Sequence, residues 1–294
     1  MKTRLAAWGL VLNAFVWGVS WYPLRLLGQH GLHPLWATVI IYGLALLALQ
    51  LWRPGAWRAV GRHPLLWLLM FASGLTNVGF NWAVTVGDVV RVVLLFYLMP
   101  TWSVLLAWLL LSERPGARAL LRLALSLTGV VMVLKTPDSP WPLPSSLPDG
   151  LALIGGFSFA LTNVLLLKLR STPDEARMFA MFSGGTAIAL VAALAGMPLG
   201  LVQAPPALAG GWMLLALCTS LAFLVANMGL QYGAARLPAS ATSLILLTEV
   251  VFASVSSVLL GAAELQTRTL LGGALILLAA VWSGLPESTR PEAS

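Results

Sequence analysis

The chain has 294 residues, of which 59% are apolar and 9% charged, with 13 tryptophans and a formal net charge of +7; its mean hydropathy is +0.89. These values exclude a soluble globular domain and define an integral membrane protein. The basic balance does not point to nucleic acid, because Lys and Arg lie in short segments between apolar runs; anionic lipid head groups are their incidental partners.

A hydrocarbon core about 30 Å thick needs roughly 20 apolar residues per helix. Ten segments qualify, at residues 5–27, 34–52, 64–86, 89–112, 117–135, 149–169, 175–196, 209–233, 238–263 and 268–285. The opening MKTRLAAWGLVLNAFVWG imitates a signal peptide, but its apolar run continues without a small-residue cleavage site, so it reads as a retained first helix. Proline marks helix starts at Pro34, Pro64, Pro173 and Pro238, where a missing N–H costs nothing in the first turn. Residues 136–150 carry five prolines and read as a semi-rigid extended connector. The lone cysteine, Cys218, falls inside the eighth segment and reads as packing.

The two sides of that connector repeat each other. NVGFNWA, from Asn77 to Ala83, returns 150 residues later as NMGLQYG, from Asn227 to Gly233, and the same offset pairs Arg118, Leu120 and Ala124 with Arg268, Leu270 and Ala274. The chain divides into a first repeat over 1–135, a connector over 136–148, a second repeat over 149–286 and a tail over 287–294. Five helices per repeat is an odd number, so the second copy enters the membrane from the opposite side. With the N-terminus cytoplasmic, 13 Lys and Arg fall inside and only Arg25, Arg91, Lys135 and Arg268 outside. The expected architecture is an all-α polytopic membrane protein of ten transmembrane helices in two inverted five-helix repeats, with both termini cytoplasmic. Such pairs work by alternating access around a site near the midplane.

Candidate site residues are the polar and aromatic side chains at membrane depth. The first segment offers Asn13, Trp17 and Trp21 at i, i+4, i+8; the sixth has Ser158, Thr162 and Asn163. The third brings Asn77, Asn81 and Trp82, and the eighth Asn227, Gln231 and Tyr232, so each repeat holds two amides on one helical face. The fourth has Tyr97, Pro100, Thr101 and Trp102; the ninth has Thr242, Glu249 and Ser256 at spacings of seven. The second, fifth, seventh and tenth segments offer little that is polar at depth, so the cavity is expected among the other six.

Glu249 is the one carboxylate near the middle of a segment, where an ionised acid costs about 2.5 to 3.5 kcal/mol on insertion scales. It reads as a contact for a substrate ammonium, as a proton site, or as a structural ion pair. Pro100 reads as a gating hinge or a static bend. The aromatics read as a stacking surface for substrate or as packing and interfacial belt. Glu113 and Glu264 read as helix-start acids, and Arg25 and Arg91 as cations that snorkel at the outer ends or hold a carboxylate. No spacing suggests a metal site, and no paired acid, Ser/Lys dyad or ligand set suggests an intramembrane enzyme.

These features carry a resemblance. FVWGVSWYPLR (Phe15 to Arg25), Pro100 followed by LLLSERP (Leu109 to Pro115), FSFALTNVLLLK (Phe157 to Lys168) and TEVVFASVSSVLLG (Thr248 to Gly261) resemble the drug/metabolite transporter superfamily, in its ten-helix branch with two EamA repeats. Within it the chain looks most like the YddG-type exporters of aromatic amino acids. Two departures stand out: Glu249-Val250 where second repeats of the family usually carry Glu-Pro, and Ala263-Glu264 where they carry Gly-Glu. The resemblance implies export of amino acids or similar metabolites across a bacterial inner membrane. No cofactor is expected, and the oligomeric state stays open, a monomer being compatible with the sequence. Proton-coupled efflux of cationic drugs is the other function open to the same fold.

The topology is checked by reporter fusions after residue 145 and after residue 290. The expected result is opposite sides, outer and cytoplasmic; the same side for both rejects the inverted five-helix repeat.

Overall fold

The computed structural model describes residues 2–99, 101, 102, 105, 106, 109, 116–134, 144, 146–169, 171–207, 210–234, 236, 237, 245–262 and 266–284. Among these there is no strand. The helices are α1 (Lys2–Val19), α2 (Trp21–Gln29), α3 (Pro34–Trp52), a 3-10 turn (Ala56–Arg62), α4 (Pro64–Val86), α5 (Val89–Phe96), α6 (Ala117–Leu134), α7 (Leu147–Lys168), α8 (Asp174–Gly196), α9 (Gly210–Ala234), α10 (Thr248–Leu259) and α11 (Thr267–Gly284).

Among the described residues, five stretches are long and apolar enough to cross a membrane: Arg4–Gln29, Pro34–Trp52, Leu147–Leu166, Asp174–Gly196 and Gly211–Gly233. Leu120–Val133, Thr248–Leu259 and Thr267–Ala279 are shorter apolar helices. Helix α4 has 23 residues, but two asparagines dilute its apolar character.

Proline sets several boundaries. Pro34 and Pro64 open α3 and α4 in the first turn, and Pro173 caps α8. The first segment is one span, Arg4–Gln29, as expected, with a single-residue irregularity at Ser20 between α1 and α2, where the backbone stays in the right-handed helical region. Pro23 accounts for the irregularity: it lacks an N–H, and in a regular helix its ring would crowd the Val19 carbonyl, whereas it fits the first turn of α2. Ser20 turns its hydroxyl back onto the Trp17 carbonyl at 2.7 Å. Helix α5 ends at Phe96, four residues before Pro100 and so at the carbonyl that a proline displaces. Pro100 itself lies outside the described residues, as does nearly all of the connector, from which α7 takes Leu147 and Pro148 into its first turn.

The most extensive packing runs between the two halves rather than within them: α4 lies against α7 and α8, α1 against α9 and α10, α3 against α8, and α6 against α11. Two of these crossings correspond under the repeat. At Gly79 of α4 an added Cβ would sit 2.7 Å from the Leu151 carbonyl and 3.0 Å from the Gly155 Cα; at Gly229 of α9 it would sit 2.6 Å from the Gly9 carbonyl. Gly79 and Gly229 are the shared glycines of NVGFNWA and NMGLQYG. Small residues let membrane helices approach backbone to backbone, where dispersion replaces the hydrophobic effect as the driving force.

One ion pair also joins the halves. Arg91 of α5 donates to both oxygens of Asp149 in α7, at 2.7 and 2.9 Å, and to the Val133 carbonyl of α6 at 2.6 Å. Asp149 is 1% exposed. Arg91 therefore does not snorkel as expected; its planar fork meets an acid of the other repeat in bidentate fashion.

The crossing geometry predicts that Gly229→Ala lowers thermal stability. Alanine gains helix propensity worth roughly 0.5 to 1 kcal/mol, but its methyl faces a backbone carbonyl that cannot rotate away, and overpacking costs about 1 to 3 kcal/mol. Gly43→Ala, whose methyl would lie 3.7 Å from Thr186 Cγ2, is the tolerated control. Melting of the purified protein in detergent measures the difference.

Candidate functional site

Where the halves meet, the centre is filled by rings. Trp17 stacks on Phe223, with centroids 4.6 Å apart and planes 23° apart, and presents an edge to Phe80. Tyr42 touches Phe182 and Phe223, while Phe80, Phe96 and Phe159 continue the chain of contacts. Tyr42 and Phe182 belong to α3 and α8, the second and seventh segments. In that packed centre α3 brings both Thr38 and Tyr42 to the interior, and Gly185 makes room for the Tyr42 ring.

Glu249 sits at the edge of this cluster. The Tyr97 hydroxyl lies 3.0 Å from Glu249 Oε2 and 3.0 Å from the Leu246 carbonyl, with Tyr97 itself 2% exposed. On the other side, α1 comes close enough that an added Cβ at Gly18 would be 2.7 Å from the Glu249 carbonyl. Farther along α10, Ser256 accepts a hydrogen bond from the Trp21 indole at 2.9 Å. Trp17, Trp21, Tyr97 and Glu249 thus belong to one junction of α1, α2, α5 and α10, in which a carboxylate from the second half meets a phenol from the first.

The amides hold helices within each repeat. Asn77 accepts from the Tyr42 hydroxyl at 2.7 Å, and Asn81 donates to Thr38 at 3.2 Å, so both tie α4 to α3. In the second half Gln231 accepts from Arg177 of α8 at 3.3 Å; Arg177 also bonds Asp174 and the Leu169 carbonyl. The second amide of each pair therefore reaches the first turns of the preceding long helix, Thr38 in one half and Arg177 in the other. Asn227 and Asn81 each keep a buried carbonyl oxygen without a partner among the described residues.

Other residues singled out from the sequence lie elsewhere. Trp82 meets the His33 ring at 5.1 Å near the loop after α2, Asn163 is exposed, and Tyr232 lies beneath Arg236, whose guanidinium carbon is 3.7 Å from the ring centroid. Thr101 and Thr162 are buried; Trp102 packs edgewise on Phe157. Thr242 and Pro100 lie outside the described residues. Missed from the sequence were Tyr42, Arg177, Asp149 and the phenylalanines of the ring cluster. Tyr42 was findable as a polar group in mid-segment, whereas the phenylalanines carry no signal that separates them from ordinary apolar filling.

Two clefts open at one end of the bundle. The larger, about 710 Å³, lies between the end of α2, the start of α3, the end of α4 and the α8–α9 connection, with Arg25, Gln29, His33, Thr85 and Gln203 among its walls. The smaller, about 340 Å³, is lined by Asp88, Arg91, Gln266 and Arg268.

The fold and this junction define a polytopic helical membrane protein built from a duplicated unit. The chain belongs to the EamA-like transporter family, whose model matches residues 4–135 and 147–285. No curated protein matches the chain. Among solved structures, a crystal structure described only as that of a protein shares the fold, at a TM-score of 0.58 and 18% identity, over 96% of this chain and 97% of the other.

His33 supplies a pH prediction. Its ring accepts the Leu35 N–H at 3.2 Å and so caps α3, and partial burial lowers its pKa below the usual 6.5. The folded protein thus favours neutral His33, and this contribution is fully present above pH 6.5 and lost as pH falls through the lowered value. The melting temperature of the wild type is expected to drop between pH 7.5 and 5 by more than that of His33→Gln; equal drops would remove His33 as a cause.

Proposed function

We propose that the chain is a secondary transporter of the drug/metabolite type that exports amino acids, aromatic and other amphipathic ones above all, as the YddG-type exporters do. On this reading ten spans form two inverted repeats in a bacterial inner membrane with both termini cytoplasmic, and alternating access moves a small molecule without a cofactor. Family membership supports the transport class. The observation that carries the substrate reading is the placement of the Glu249 carboxylate against Tyr97, at the junction of the halves and at the edge of the ring cluster that Tyr97 joins through Phe96. A carboxylate beside apolar rings suits a molecule with an ammonium group on an apolar body, and rings add a cation–π surface of about 0.5 to 2 kcal/mol. Trp17, Trp21, Tyr97 and Glu249 are the proposed contacts, with Asn77, Asn81, Asn227 and Gln231 holding the walls. The same carboxylate favours a second reading, efflux of a cationic drug with Glu249 as the proton carrier.

Counterflow and gradient-driven uptake in proteoliposomes, with a panel of amino acids and lipophilic cations, test both. Glu249→Gln keeps shape but removes charge. If the carboxylate holds the ammonium, loss of a charge-assisted bond of about 1.5 to 3 kcal/mol weakens apparent affinity ten-fold or more, with or without a pH gradient. If it carries the proton, exchange persists and gradient-driven accumulation disappears. Unchanged affinity and unchanged pH response reject both roles.

A further inference from the structure

The larger cleft has a chemistry that the ring cluster does not share. Its charged wall is Arg25, and among the described residues no carboxylate lines it, although Asp88, next to Gly87, lies close enough to interact with the guanidinium. Arg25 is fixed from three sides: Nε donates to the Val84 carbonyl at 3.2 Å, a terminal N–H donates to the Gly87 carbonyl, and the guanidinium carbon lies 5.2 Å from the centroid of the Trp21 ring. Capping the end of α4 explains those two bonds. It leaves the second terminal nitrogen of the fork without a bond among the described residues, on a side chain that still reaches the open cleft. Gln29, Thr85 and Gln203 add neutral hydrogen-bonding groups around it. The two turns that frame the cleft are built on Gly31 and Gly200, both at positive φ, 83° and 70°, which a side chain would strain. A volume of about 710 Å³ lies within the range of small-molecule sites, roughly 300 to 1,000 Å³.

On the topology proposed above, this end of the bundle faces outward. Trp21, whose face supports the guanidinium, donates its indole N–H to Ser256 of α10, two turns beyond Glu249. The same pair of helices therefore presents a cation at the outer end and an anion at depth.

We propose that the cleft around Arg25 is an outer binding site for the carboxylate of the transported molecule, which makes the substrate class a zwitterion with its two charges read at separate stations. This rests on the transport reading above for its substrate, and on the cleft alone for its chemistry. The oxyanion could equally be the phosphate of an anionic lipid, so the experiment separates the two sources.

Binding of phenylalanine and of phenylalaninamide to the purified protein in neutral detergent is followed by calorimetry. The amide keeps the ring and the ammonium and lacks the carboxylate. The wild type is expected to bind the acid about ten-fold more tightly than the amide, and Arg25→Gln to lose that preference while binding the amide as before. Because Arg25 also caps α4, Gln203→Glu serves as the second variant: it sits on an exposed loop, leaves the cap intact, and places a negative charge in the cleft that is expected to reduce the preference as well. Equal binding of acid and amide by the wild type, no binding of either, or a preference that survives both substitutions overturns the proposal. A preference abolished by phosphatidylglycerol, together with Arg25-dependent binding of that lipid, assigns the oxyanion to lipid and overturns the substrate assignment. Counterflow in phosphatidylcholine vesicles then separates the two readings, since an acid preference in binding without exchange of any compound would reject transport of amino acids and leave the site standing.

Discussion

Helix crossings at which glycine meets backbone hold the two halves together. Gly79 against Gly155 and Gly229 against Gly9 let α4 meet α7 and α9 meet α1 at backbone contact, and these are the same crossing made twice, once in each direction of the repeat. Hydrophobic burial cannot drive helices together inside lipid, whose tails are as apolar as leucine, so close fit and polar pairing must do it. The consequence is that the halves interleave rather than sit side by side. Helix α4 is enclosed by α7 and α8 of the other half, and the central junction borrows from both.

The polar groups are placed to satisfy that constraint. Each buried amide without a partner would cost on the order of 1 to 3 kcal/mol; Asn77 and Gln231 find one on a neighbouring helix, and Asn81 finds one for its amide nitrogen. Arg91 and Asp149 do the same across the halves. The bidentate geometry gives each charge the partner that its burial demands, and it anchors the entry of α7 to the start of α5.

The two halves have not stayed alike in fit. Gly74 of α4 faces the Gly184 carbonyl of α8 at a distance that no side chain tolerates, but the residue 150 positions later is Leu224, and α3 carries Tyr42 where α8 carries small residues. Accordingly α4 and α8 pack more extensively than α9 and α3. Tyr42 in turn supplies the hydroxyl that Asn77 accepts, and Asn227, its counterpart, has no such neighbour for its carbonyl oxygen among the described residues. These two differences therefore shift packing and hydrogen bonding from one half to the other.

The sequence by itself determined the membrane class, the duplication and most helix limits, because these depend on local quantities: apolar length, proline and a fixed offset. Pro34–Trp52 and Pro64–Val86 match their expected segments end for end. It also exposed Asn77, Asn81, Glu249 and the repeated glycines as residues needing an explanation. What it could not supply is the partner of each. Gly155 and Gly9 are unremarkable in their own segments, and only the crossing gives them a role. Tyr97 meets Glu249 across 152 positions of sequence, and Arg91 meets Asp149 across 58. The phenylalanines that fill the centre were indistinguishable from lipid-facing ones, since an apolar ring suits either environment and only the rotation of each helix against its neighbours decides between them. That rotation is set by contacts between segments far apart in the chain, and no local pattern records it.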